Sequence, residues 1–99
     1  MIKVLMQRRV PPGFDTDDDE QLARHARIAA DALATIGGGA HWITSYIADD
    51  TIFSVVVFPS EADVERFRQA AGITDQTSVV RRISRTFDAS FADAPLRRP

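Results

Sequence analysis

Cysteine is absent from this 99-residue chain. The absence excludes disulfides, zinc–thiolate sites, iron–sulfur clusters and cysteine nucleophiles. A cysteine-free domain of this size is typical of a reducing compartment, so we expect a cytoplasmic protein.

Long hydrophobic runs and an excess of one charge are also missing. Arginines interrupt the first ten residues, and no segment approaches the roughly 20 apolar residues that span a bilayer, so we expect neither a signal peptide nor a membrane partner. The chain has 12 basic and 14 acidic residues and a net charge of −2. Nucleic-acid binding usually needs a strongly basic face, and we therefore expect no nucleic-acid partner.

What the chain does have is a regular alternation of strand and helix patterns. Four segments have the composition and alternation of strands, and apolar residues recur at three- and four-residue spacing in two others. Ser60 and Asp63 have the spacing of a capping box. The predicted elements are strand one at 2–9, helix one from Thr16 or Asp17 to Gly37, strand two at 41–48, a turn at Asp49-Asp50, strand three at 51–58, helix two from Ser60 to Gly72, and strand four at 77–87.

The order βαββαβ predicts an α+β, ferredoxin-like fold, with a four-stranded antiparallel sheet and both helices on one face. We expect a single domain at 1–87 and a loose tail or arm at 88–99, where the composition is typical of turns. The hydrophobic content of 44% is enough for one core.

Both faces of the predicted sheet are apolar. In strand three, Ile52, Val56 and Phe58 alternate with a second apolar set at 53, 55 and 57. Helices cover one face only, so a monomer would expose a large hydrophobic patch. The pattern therefore predicts a homodimer that packs sheet on sheet.

These features resemble a family of small bacterial ferredoxin-like proteins of unknown function that includes a nickel-binding protein. The resemblance extends over about residues 2–87. It rests on the run W-I-T-S-Y, an acidic turn, an apolar strand, P-S and a helix ending in A-G-I-T. The matching positions are Trp42, Ser45, Tyr46, Asp49 or Asp50, Pro59, Ser60, Ala71 and Gly72.

The chain departs from the family pattern in strand three, where Ser54 replaces a common cysteine and Val56 a common aromatic residue. The resemblance implies a ferredoxin-like dimer that binds nickel or another divalent metal. No full ligand set maps onto this chain.

Two histidines, His25 and His41, are the candidate metal ligands, because borderline metals favour imidazole. They lack the paired spacing of a strong metal motif. A solvated helix histidine and a histidine at a strand edge are the alternative interpretations.

Trp42, Tyr46 and Phe53 are the candidate pocket residues. Strict alternation places Trp42 and Tyr46 on one face of strand two and Ser45 on the opposite face. The two aromatic rings could line a cavity, with the Tyr46 hydroxyl as its polar group. Ordinary core packing is the alternative.

Arg81 and Arg85 alternate along strand four and are candidate anion-binding residues, because guanidinium suits bidentate binding of carboxylate or phosphate. Pairing with acids across an interface is the alternative.

The sequence is compatible with three alternative functions. The first is a homodimer that binds a metal or a small molecule. The second is an enzyme of the dimeric α+β barrel kind, resembling cofactor-free monooxygenases or isomerases, with His41 or Tyr46 as its acid–base group in a pocket lined by Trp42 and Phe53. The third is a protein-interaction module that uses the open sheet face.

Overall fold

The computed structural model describes residues 1–73 and 78–93. It contains one four-stranded antiparallel sheet in the order β2-β3-β1-β4, with two helices on one face. The elements are β1 (Ile2–Arg9), α1 (Asp19–Ile36), β2 (His41–Ala48), β3 (Thr51–Phe58), α2 (Glu61–Ala70), β4 (Val79–Arg82) and a 3₁₀ helix (Ala89–Asp93). This order and topology confirm the ferredoxin-like α+β prediction.

The core lies between the sheet and the helices. Even-numbered residues of β1 and β3 face it, because side chains alternate along a strand. Phe58 is fully buried, and its ring centroid lies 5.5 Å from that of Phe67 on α2. The buried cluster consists of Val4, Met6, Ala32, Leu33, Val56, Phe58 and Phe67.

Helix α1 begins at Asp19, slightly later than the sequence predicted. Asp17 donates its backbone N–H to the Asp15 carboxylate over 3.0 Å, so these residues form a turn before the helix. Asp18 is the N-cap, and its carboxylate accepts from the backbone N–H groups of Glu20 and Gln21. The helix ends as predicted at Gly37, whose φ of +66° favours glycine.

Helix α2 has Ser60 at its N-cap, but the predicted capping box does not form. The Ser60 hydroxyl accepts no backbone N–H and instead donates to the Asp63 carboxylate over 2.9 Å. Arg66 also binds that carboxylate, at 2.7 Å. Asp63 is buried; the Arg66 guanidinium compensates its charge, and the Ser60 hydroxyl gives its carboxylate a further hydrogen bond.

Strand β4 is shorter than the predicted 77–87. It pairs with β1 from Val79 opposite Gln7 to Arg82 opposite Val4, and the Ile83 N–H then donates to the Lys3 carbonyl. Because β1 itself begins at Ile2, this register gives later residues no strand to pair with. The predicted start at 77 and residues 94–99 of the predicted tail lie outside the described residues; the 3₁₀ helix occupies part of that tail.

Strand β2 contains a β-bulge between Trp42 and Thr44. Trp42 pairs with Val56 and Thr44 pairs with Val55, so Ile43 is an extra residue. The bulge places Trp42 and Ser45 together on the helix-facing side and Tyr46 on the other. The prediction that Trp42 shares a face with Tyr46 is therefore wrong, because it assumed unbroken alternation.

Within the described ranges, no helix is both long enough and apolar enough to cross a membrane.

Candidate functional site

A cavity of about 160 Å³ lies between the helix-facing side of the sheet and the two helices. Most of its wall is apolar. The exposed residues Pro11 and Ile28 lie at its rim and mark its opening to solvent. The inner apolar wall includes Met6, Leu33, Val56, Phe67, Ala71 and Ile73.

A chain of three polar groups crosses one part of this wall. The Trp42 indole Nε1–H donates to the Ser45 hydroxyl over 2.9 Å. The hydroxyls of Ser45 and Ser54 are 2.6 Å apart and share a second hydrogen bond. The bulge is what makes this possible, since it puts the indole on the same face as Ser45, which lies directly opposite Ser54.

A second polar group at the cavity is the pair formed by Arg8 and His25. The Arg8 Nη2 atom contacts the His25 Nε2 atom and lies 3.3 Å from Nδ1. Phe14 packs edge-on against the imidazole, with ring centroids 5.7 Å apart. Burial, and to a lesser extent the positive charge of Arg8, hold the pKa of His25 below its usual value of 6.5.

The two polar groups lie near each other on the sheet. Ser54 pairs with Met6, and Arg8 is two residues further along β1 on the same face. Such diagonal neighbours are about 7–8 Å apart in a sheet. The guanidinium, the imidazole and the two hydroxyls therefore belong to one cavity rather than to separate sites.

Of the three aromatic residues that the sequence predicted for a pocket, the structure places only Trp42 at the cavity. Tyr46 pairs with Phe53 on the opposite, open face of the sheet, and the residue is 62% exposed. A pocket that combines Trp42 with Tyr46 and Phe53 is therefore not formed within one chain.

The two histidines are far apart. His41 pairs with Val57, whereas Arg8, the neighbour of His25, pairs with Ile52. Five residues along β3 correspond to about 17 Å. Within the described ranges, no three His, Cys, Asp or Glu side chains form a group that could hold a metal ion.

Arg81 and Arg85 also lie away from the cavity wall. Arg81 is exposed in β4 opposite Leu5, and Arg85 follows the end of that strand. The Arg85 guanidinium lies 5.9 Å from the centroid of the Phe91 ring. An anion site formed by these two arginines stays a prediction.

Arg8 and Ser54 line the cavity, and sequence reasoning did not assign either of them to a pocket. The pattern that could have found Arg8 is the alternation in β1, where the even-numbered Val4 and Met6 face the core and Arg8 continues the series. Ser54 interrupts the apolar even positions of β3 in the same way. A polar residue on the core-facing side of a strand is informative, because its burial requires a partner.

Comparison with solved structures finds a protein with a similar fold. The chain is similar to the crystal structure of SCO4226 from Streptomyces coelicolor A3(2), with a TM-score of 0.64 and 16% sequence identity, over 86% of this chain and 99% of that chain. At this identity the likeness shows the fold alone. No protein-family model matches the sequence, and no curated protein matches it.

Proposed function

We propose that the protein is a homodimer that binds a small organic molecule in the cavity between its sheet and its helices. The observation that carries the proposal is the cavity itself, which joins an apolar wall to a small set of convergent polar groups. That combination is typical of ligand sites, where apolar surface supplies affinity and a few polar atoms fix orientation.

The size of the cavity limits the ligand. A dry protein cavity of about 150 Å³ accepts a molecule the size of benzene, and this one is about 160 Å³. A ligand with one small ring, or an aliphatic body of similar volume, fits inside, whereas a nucleotide or a large cofactor does not.

Trp42 provides a direct test, since it is the only tryptophan and its indole lies at the cavity. We expect small aromatic probes such as benzamide to change its fluorescence and to bind saturably. Ala29→Leu should weaken this binding at least several-fold, because Ala29 lines the cavity and a larger side chain would fill it.

Ala30→Leu is the matched control, since Ala30 is the next residue of α1 and is exposed. Equal binding by wild type, Ala29→Leu and Ala30→Leu would contradict the proposal.

The open face of the sheet supports the homodimer. Leu5 and Val55 pair at its centre, with Phe53 beside them on β3. Tyr46 adds a largely exposed ring at the edge. Leu5, Phe53 and Val55 are only partly buried, and a second copy of the same face would cover them.

A nickel or other divalent metal site is the second candidate function, and His41 is the residue that favours it. Its Nδ1 atom lies 2.8 Å from the Gly39 carbonyl oxygen. If Nδ1–H donates there, the exposed Nε2 atom is left as a fixed metal ligand. Native mass spectrometry with nickel tests this. Uptake at fixed stoichiometry that is lost in His41→Ala would support it, and no uptake would contradict it.

Catalysis, the protein-interaction alternative and the cytoplasmic location stay predictions. The enzyme hypothesis relied on His41 or Tyr46 as the acid–base group, and both lie outside the cavity. The imidazole that does reach the cavity belongs to His25.

A further inference from the structure

We propose that the ligand of this cavity carries a carbonyl oxygen on a small apolar body, and that the Ser54 hydroxyl donates a hydrogen bond to that oxygen. The inference rests on the proposed function and adds the chemical class of the ligand, which is a small ketone, ester or amide.

Counting hydrogens in the polar chain gives the first argument. The Trp42 indole and the hydroxyls of Ser45 and Ser54 carry three polar hydrogens between them, and the two observed hydrogen bonds use two of these. One hydroxyl hydrogen is therefore left over, whichever serine donates to the other. Within the described part of the chain, no further acceptor contacts either hydroxyl. An oxygen atom of a ligand in the cavity could accept this hydrogen.

The place of Ser54 in the sheet gives the second argument. Trp42 and Ser45 belong to the edge strand β2, whereas Ser54 lies on the inner strand β3 and pairs with Met6 of β1. The cavity wall includes all four residues, so Ser54 is the member of the polar chain that lies nearest its middle. Donation from Trp42 to Ser45 and from Ser45 to Ser54 leaves the free hydrogen at that point. Hydrogen bonds aligned in one direction also strengthen one another.

A carbonyl group matches this arrangement. Its oxygen accepts a hydrogen bond and brings no hydrogen of its own, so no donor is left unpaired. A hydrocarbon could fill the cavity, but it would cover the Ser54 hydroxyl without giving its hydrogen an acceptor, which weakens binding. The wall beside Ser54 includes Leu33, Val56 and Phe67. The body of the ligand must therefore be apolar, because further polar groups would face this wall without partners.

Cyclohexanone and methylenecyclohexane test the proposal as a matched pair, because they have the same shape and differ only in an exocyclic oxygen or methylene carbon. NMR titrations that follow the indole N–H signal of Trp42 give the dissociation constant of each probe. The two probes differ in hydration, so the informative quantity is the ratio of their constants in each protein. Ser54→Ala should shift this ratio about two- to tenfold against the ketone, since only the ketone loses a hydrogen bond.

Ser84→Ala is the matched control, since Ser84 is exposed and is not a residue of the cavity wall, and it should keep the wild-type ratio. If Ser54→Ala does not fold, Ser54→Cys replaces it and should shift the ratio in the same direction, because a thiol is a weak donor. An unchanged ratio in the folded Ser54 variant would overturn the carbonyl inference and leave the proposed ligand site standing. Failure of both probes to bind wild type would overturn both proposals.

Discussion

At the residue scale, the protonation of His25 affects the stability of the fold, because its neutral imidazole contacts the Arg8 guanidinium. His25 is half-buried, and protonating it would put a second positive charge beside Arg8. Burial and then Arg8 lower its pKa below 6.5, and both effects favour the neutral form. His25 therefore binds a proton less readily in the folded protein than in the unfolded chain.

The stability of the protein should accordingly depend on pH in the range where His25 titrates. As pH falls below about 6.5 toward the lower folded-state pKa, the unfolded chain binds more protons than the folded one, and the free energy of unfolding decreases. Urea denaturation between pH 5 and 8 (about the range in which histidine titrates) measures this. In His25→Gln the decrease should be smaller.

His41→Gln is the control for that experiment, because His41 is exposed and its side chain has one hydrogen bond among the described groups, to the nearby Gly39 carbonyl. This variant should keep the decrease in stability that His25→Gln reduces. Among the described residues, hydrogen bonds from Gln21 and Ser90 lower the pKa of the Asp18 and Asp88 carboxylates, respectively, and these two groups affect stability in a different pH window. Their contribution is present above about 3.8 and is lost as pH falls through their folded-state pKa values.

At the scale of elements, the start of α1 depends on one carboxylate within an acidic run. Asp18 accepts from two backbone N–H groups and from the Gln21 side chain. Asp18→Ala should therefore lower the Tm by a few degrees, since it removes the N-cap. Asp17→Ala removes a charge of the same sign one residue earlier without removing the cap, so a thermal melt should show a much smaller change. Equal effects of the two substitutions would indicate that net charge, not capping, determines the helix start.

The positions of the strands and helices were largely predictable from the sequence, but some of their ends were not. Hydrophobic patterning identified the four strands and both long helices of the described residues, because burial on one face imposes a period of 2 or 3.6. It placed the start of α1 early, since several residues in 15–18 are good caps and only the folded turn selects Asp18. The end of β4 depends on where its partner β1 begins, which is a tertiary property.

The candidate site was less predictable than the fold for a related reason. Trp42 was identified as a pocket residue, but its neighbours were chosen by strict alternation, and the bulge at Ile43 changes which residues share its face. Local sequence gives little indication of a bulge, since the extra residue here is an ordinary isoleucine. The contact between Arg8 and His25 joins two residues that are 17 positions apart on different elements, and neither residue alone indicates the other.

At the scale of the whole molecule, the two sides of the sheet have separate proposed roles. The helix-facing side holds the cavity that is proposed to bind a small molecule, and the open side is proposed to bind a second copy. The two proposals therefore make independent predictions, because a change at the centre of the open face need not disturb the cavity.

Val55→Lys should convert the proposed dimer to a monomer, because it places a charge at the centre of the open apolar face opposite Leu5. Light scattering coupled to size-exclusion chromatography measures the mass. Ala30→Lys adds the same charge on the exposed surface of α1 and should leave the dimer intact. A wild-type protein of monomer mass at micromolar concentration would contradict the proposal.

The bulge in β2 also bears on how related sequences should be compared. A homologue without it would be one residue shorter between the indole and the serine and could keep both side chains on the same face. Aligning the two chains without a gap at Ile43 would match inward-facing residues of one to outward-facing residues of the other. The length of this short segment is therefore a more useful evolutionary character than the identity of any residue in it.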